Sequence, residues 1–264
     1  MIMITDDYGT QRCYNAAGKL HREDGPAVIS KNGYQDWYLH DVVNRDDDPA
    51  VDLVYGYQAW YQQDKLHRVD GPAVMYSDGY QEWHLHGKLH RVDGPAVTND
   101  KGFQEWYQHG EYHREDGPAL DYGNGHQAWY QHGKLHRDGG PAIVDSNGYQ
   151  AWYQHDKRHR VDGPAEVQED EYQVWYQHGK RHRIDGPAMI NKRYGYQEWY
   201  QDGKLHRDGG PAVVREDGYQ AWYLHGKLHR EDGPAMINKR LGYQEWYQHG
   251  KLYRANGPAI VYDY

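Results

Sequence analysis

Ten tryptophans recur at Trp37, Trp60, Trp83, Trp106, Trp129, Trp152, Trp175, Trp199, Trp222 and Trp246, with seven of the nine gaps at 23 residues and two at 24. Eleven prolines, from Pro26 to Pro258, keep the same interval. A fixed period of this length means one small unit stacked many times, each burying its face against its neighbours. The period predicts an unbroken array over 18–264, after a lead-in of residues 1–17. Composition favours a thin layer over a thick core. There are 27 Tyr and 10 Trp against one Phe, so aromatic rings with wet polar tips carry the apolar surface.

Two cleaner units read GFQEWYQHGEYHREDGPAL (102–120) and GYQEWYQDGKLHRDGGPAVV (195–214). Tyr-Gln-x-Trp-Tyr-Gln is rich in strand formers and too short for a helix. His-Gly or Asp-Gly then supplies the positive φ that a two-residue hairpin turn needs. Lys-Leu-His-Arg returns as a second strand, and Asp-Gly-Pro bends the chain, since proline cannot donate to a ladder. The expected fold is all-β: an elongated, single-layer antiparallel β-hairpin array of about ten 23-residue units, forming a curved or twisted ribbon. Each unit should advance about 10 Å, two strand spacings.

Pairing across His109-Gly110 sets Gln108 against Glu111, Tyr107 against Tyr112, Trp106 against His113 and Glu105 against Arg114. Alternation then places Trp and His on one face and Tyr and Arg on the other. Stacking of identical units predicts ladders of Trp over Trp, Tyr over Tyr and Arg over Glu.

The motif Trp, Gly-Lys-Leu-His, Pro-Ala, as at Trp129, Gly133, Lys134, Leu135, His136, Pro141 and Ala142, resembles MORN repeats. It is most similar to the variant MORN repeats of YwqK-like antitoxin components and related bacterial and phage proteins. The resemblance implies a hairpin ribbon with a non-catalytic binding role. The chain departs from the MORN pattern where His-Arg-x-Asp-Gly-Pro replaces Gly-x-Gly. That departure, with the acidic balance, argues against the lipid binding linked to some MORN proteins.

The formal charge is -9, from 30 basic and 39 acidic side chains, which favours solubility and argues against nucleic acid and anionic membrane as partners. Nearly every Arg of the repeated His-Arg pair has an acidic residue within two positions, so ion pairs within the chain outcompete phosphates. The single Cys13 fits a reducing, cytoplasmic setting. No secretory leader and no long apolar span is visible.

Equivalent histidines on successive hairpins stand about 10 Å apart, too far to share an ion at ~2 Å ligand distances. They read as scaffold packed on Trp, and no metal or cofactor is expected. The recurring acids before Gly are turn formers. No nucleotide, thiol or hydrolase motif appears, so an enzyme is not expected. Candidate partner-binding residues are Trp60, Trp83, Trp106, Trp129, Trp152, Trp175, Trp199 and Trp222. The divergent unit after Trp37 adds the acidic run Asp46, Asp47 and Asp48. The leading expectation is a scaffold for a protein partner, a toxin or a host factor. The alternatives are sequestration of small molecules or nucleotides between aromatic ladders, and self-assembly into a homodimer.

Overall fold

The computed structural model describes residues 1–45, 47–53, 55–169 and 171–262. Every regular element among them is a short β-strand. The chain divides into two compact units, Met1–Lys134 and Leu135–Tyr264. Among the described residues, the first unit holds twelve antiparallel main-sheet strands and the second holds eleven. The protein is an all-β repeat array.

Each repeat splits its strands between two sheets. Around Trp106, Gln104–Glu105 lies between Val97–Thr98 and Leu120–Asp121 in the main sheet, with Glu105 opposite both Val97 and Leu120. Tyr107–Gln108 and Glu111–Tyr112 form a separate two-stranded hairpin, with Gln108 opposite Glu111 and Tyr107 opposite Tyr112. Its turn has the predicted form: His109 and Gly110 both take positive φ, 56° and 85°.

Trp106 is the crossing point. Its N–H donates to the Ala119 carbonyl at 2.7 Å, and its own carbonyl accepts from the His113 N–H at 3.0 Å. The expected pairing of Glu105 with Arg114 therefore does not form. Arg114 instead donates its backbone N–H to Tyr130 of the next repeat at 3.2 Å. The physical reason is main-chain satisfaction. An isolated two-stranded hairpin leaves both edges open, whereas Ala-Val inserted between successive Tyr-Gln-x strands gives each strand two partners.

The Ala after each of the first ten prolines closes this layer. Ala27, Ala50, Ala73, Ala96, Ala119, Ala142, Ala165, Ala188, Ala212 and Ala235 are all at most 1 % exposed. The same hydrogen-bond pattern is present upstream of the first Trp. Cys13 donates to Ala27 O at 2.7 Å and accepts from the His21 N–H at 3.0 Å, so a buried cysteine holds the tryptophan position of an additional repeat. The repeat's pairing thus reaches back to Gln11, inside the segment read from sequence as a lead-in.

Candidate functional site

In most repeats an Arg lies over the ring of the Trp eight residues before it. Nine such pairs place the guanidinium carbon 3.8–4.1 Å from the ring centroid, from Arg45 on Trp37 to Arg254 on Trp246. The same guanidinium donates to the proline carbonyl four residues on, as Arg114 does to Pro118 at 3.2 Å. Its outer surface presses on the Gly before that proline. A Cβ built on Gly117 would stand 2.6 Å from Arg114 Cζ, and one on Gly186 2.9 Å from Arg183 Cζ. Neither glycine has a positive φ, so close approach of the guanidinium, not backbone conformation, requires Gly here.

The tryptophans are thus half of an internal clamp. The predicted Trp-over-Trp ladder is replaced by Arg over Trp, because successive tryptophans stand a whole repeat of about 10 Å apart while the Arg of the same repeat reaches the ring. Trp60 is 6 % exposed, while Trp83, Trp106, Trp129, Trp152, Trp175, Trp199 and Trp222 each keep part of their surface in solvent.

The divergent second unit keeps this frame with other atoms. Asp48 replaces Gly, and its carboxylate accepts from Arg45, whose guanidinium remains 4.1 Å from the Trp37 ring. Asp47 is exposed, and Asp46 lies outside the described residues. Asn44 stands where other repeats have His, and its Oδ1 accepts from the Gln63 N–H at 3.2 Å.

The histidines of successive repeats pack on each other. The His before Arg in one repeat stacks on the turn His of the next, with eight pairs of ring centroids 4.3–4.6 Å apart. Spacing equivalent histidines from sequence missed this, since the partners occupy non-equivalent positions. In eight repeats the Nδ1 of the His before Arg accepts the backbone N–H of the next turn, as His90 does from His109 at 3.1 Å. The ring proton therefore sits on Nε2. Burial, and then the neighbouring His charge, push the pKa values of His67, His90 and His159 below the ordinary histidine value. Among the described residues no group of three or more His, Cys, Asp or Glu is placed to hold a metal ion.

Polar clusters gather around the carboxylate before Trp, at Glu82 and Glu105 and again at Glu198 and Glu245. Glu82 and Glu105 occupy the same position in successive repeats, two residues before His84 and Tyr107. Glu82 accepts from Tyr80 OH and pairs with His84 Nε2, each at 2.7 Å, and the His84 bond holds its pKa below the usual carboxylate value. Glu105 accepts from Tyr112 OH, but burial dominates and raises its pKa. Replacing His84 with Tyr should move Glu82 toward the raised behaviour of Glu105. A carbonyl-carbon NMR titration reads this directly, and an unchanged Glu82 midpoint would refute the assignment. Beside the pair, a cleft of about 390 Å³ opens among Tyr76, Asp78, Tyr80, Glu82, Asn99 and Lys101.

The Arg-x-Asp-Gly-Pro loops form a second, repeated feature. Grooves of 430–480 Å³ separate successive loops, each floored by a Trp and walled by the loops on either side. Position x touches little of the fold. Val69, Val92, Val161 and Ile184 there are 71–82 % exposed, and other repeats place Glu115 or Glu231 at the same point. Sequence reasoning passed over this position because it varies. Compared with known proteins, the chain matches no family model and no curated protein.

Proposed function

We propose that this protein is a non-catalytic scaffold that binds a protein partner along its Arg-x-Asp-Gly-Pro loops. One observation carries the reading. Val69 with Val92, and Val161 with Ile184, place exposed aliphatic side chains at one structural position in adjacent repeats, on loops held rigid by the Arg–Trp clamp. The fold gains nothing from an apolar side chain there, so contiguous apolar tips mark a contact surface. The recurring polar atoms are meanwhile committed to the scaffold, His Nδ1 to turn amides and Arg to Pro carbonyls.

The resemblance to MORN-like repeats of YwqK-type antitoxin components sets the biological reading. In it the chain neutralises a toxin, or serves a phage against a host factor, inside the cytoplasm. A toxin gene beside this one, or a place among early phage genes, is the observation that separates those settings.

Val161→Arg with Ile184→Arg should weaken a captured partner at least about tenfold, as loss of central contacts does in other interfaces. The capture is made with the full chain and the retained protein identified by mass spectrometry. The reading is sunk if no protein is retained reproducibly, or if the double variant retains it equally. A second reading, a small-molecule site, is favoured by the Tyr76–Tyr80–Glu82 cleft.

A further inference from the structure

The Tyr76–Tyr80–Glu82 cleft lies where a row of aromatic side chains is interrupted. Residues directly opposite in the main sheet share a face, so their side chains form rows across the strands. The Tyr76 N–H donates to the Tyr80 carbonyl at 2.9 Å, and the pairing of Met75 with Gln58 sets Tyr76 beside Tyr57. The rings follow this order, with Tyr57–Tyr76 centroids 4.9 Å and Tyr76–Tyr80 centroids 5.6 Å apart. The row resumes at Phe103, 5.4 Å from Tyr122, which stands 5.1 Å from His126. Between the two runs is Asn99. Its N–H donates to the Phe103 carbonyl at 3.2 Å, and the pairing of Gln81 with Thr98 sets it beside Tyr80.

Asn99 does not fill its place in that row. Its Oδ1 accepts from the Lys101 and Phe103 N–H groups at 2.9 and 3.1 Å, so the amide is folded over its own turn. Tyr80 and Phe103 flank it two strand spacings apart, about 9.6 Å. A planar group midway would lie about 4.8 Å from each ring, within the ~4.5–7 Å of favourable aromatic contact. The cleft of about 390 Å³ opens on the Tyr80 side of Asn99.

Elsewhere the chain supplies a planar group at the same position, three residues after the buried Ala. Tyr76 and Tyr122 hold it in the repeats on either side. In the second unit it is Arg215, directly opposite Tyr196. The Arg215 guanidinium carbon lies 5.2 Å from the Tyr196 ring and 4.9 Å from the Tyr219 ring, so a guanidinium completes the row there. Tyrosine faces attract such a cation, and its flat shape suits the space between two rings. Charge selects the same chemistry at Asn99. The His84 bond holds Glu82 below the usual carboxylate pKa, so it stays ionised. Asp78 gives Oδ1 to the Tyr80 N–H at 3.1 Å and leaves Oδ2 for a ligand, while Asp100 packs its carboxylate against Gly79. Lys101 is the opposing base in the lining. The first unit carries 21 acidic and 12 basic side chains, so its field favours a cation. Asn191 and Asn238 hold the same position in two other repeats, but the turns beside them carry Lys192-Arg193 and Lys239-Arg240 in place of acids.

We infer that the cleft at Asn99 binds a guanidinium group, stacked on Tyr80 and paired with Asp78 in the field of Glu82. A free alkylguanidine and an arginine side chain of a partner present this same planar cation. The site shares no lining residue with the neighbouring loop groove. It rests on the second reading above and gives that cleft its ligand chemistry.

The test is an NMR titration of the full chain, reading the Tyr76 and Tyr80 ring signals. The ligands are acetyl-arginine-amide, acetyl-citrulline-amide (flat but uncharged) and acetyl-lysine-amide (charged but not flat). The arginine compound should bind at least about tenfold more tightly than the other two, and weaken as salt rises. Asp78→Asn keeps the acceptor for the Tyr80 N–H and should weaken binding at an unchanged melting temperature. Asn99→Arg should abolish it by supplying the guanidinium from the chain, as Arg215 does in the second unit. Equal binding of the citrulline compound overturns the cation, and equal binding of the lysine compound overturns the planar group. Either result leaves the cleft as a small-molecule site. Agmatine and acetyl-Gly-Gly-Arg-Gly-Gly-amide separate the sources: tighter binding of the peptide supports a partner's arginine, and the reverse supports a free guanidine. If no compound moves Tyr76 or Tyr80, the inference fails, and the Val161→Arg, Ile184→Arg capture experiment decides separately whether the scaffold reading survives.

Discussion

Acidification from pH 7 to pH 5 is expected to lower the melting temperature by roughly 6–12 °C, on a scale of ~2–4 °C per kcal/mol for domains of this size. The cause is the bond from a turn amide to the Nδ1 of His67, His90 and His159. A protonated ring carries hydrogen on both nitrogens, so each such bond, worth ~1 kcal/mol, is lost on protonation. The sign follows from the direction of the shifts. His67, His90 and His159 have folded pKa values pushed below the ordinary one, so the unfolded chain binds more protons as acid is added. Their stabilisation is complete above the unfolded value of about 6.5 and is lost as pH falls through the folded values.

Asn44 provides the control within the molecule, because its amide oxygen does the work of Nδ1 and does not titrate. Converting His67, His90 and His159 to Asn should flatten the pH dependence with little effect at pH 7.5. Thermal melts between pH 5 and 8 check this. A wild-type melting temperature that stays flat over that range, or an unchanged slope in the Asn variant, removes the histidine bonds as the cause.

Gly117→Ala is expected to destabilise the protein by about 2–3 kcal/mol, against the usual gain of ~0.4–1 kcal/mol for Gly→Ala where φ is ordinary. The new Cβ would stand 2.6 Å from Arg114 Cζ, so the guanidinium must leave the Trp106 face and the Pro118 carbonyl. The charge-assisted bond contributes ~1.5–3 kcal/mol and the stacked cation ~0.5–2 kcal/mol, part of which water restores. A double-mutant cycle isolates the clash. Once Arg114→Ala has removed the guanidinium, adding Gly117→Ala should cost nothing, giving a coupling above ~1 kcal/mol. Additive effects, or a stabilised single variant, would rule the clamp out as the reason for glycine at this position.

The two compact units share this design, and what was legible in their sequence depended on the range of the interaction. The turn at His109-Gly110 and the pairing of Tyr107 with Tyr112 are set by residues at most five apart, and both were readable. The switch at Trp106 was not, because it depends on Ala119, thirteen residues on, competing for the Trp amide. The His90–His109 stack and the Arg114–Trp106 clamp were hidden for the same reason. Each joins positions that look unrelated when identical residues are compared with identical residues. The loop position held by Val161 and Ile184 escaped notice because repetition draws attention to what stays constant.

By itself the sequence determined that this is an all-β array of short repeated units. The 23-residue period, the strand formers around Trp and the positive-φ turn pairs leave no other way to bury the aromatics. Only the tertiary structure decided which charges face water. Asp stands two residues after Arg in most of the loops, and only stacking on Trp withdraws the guanidiniums while the carboxylates beside them stay exposed.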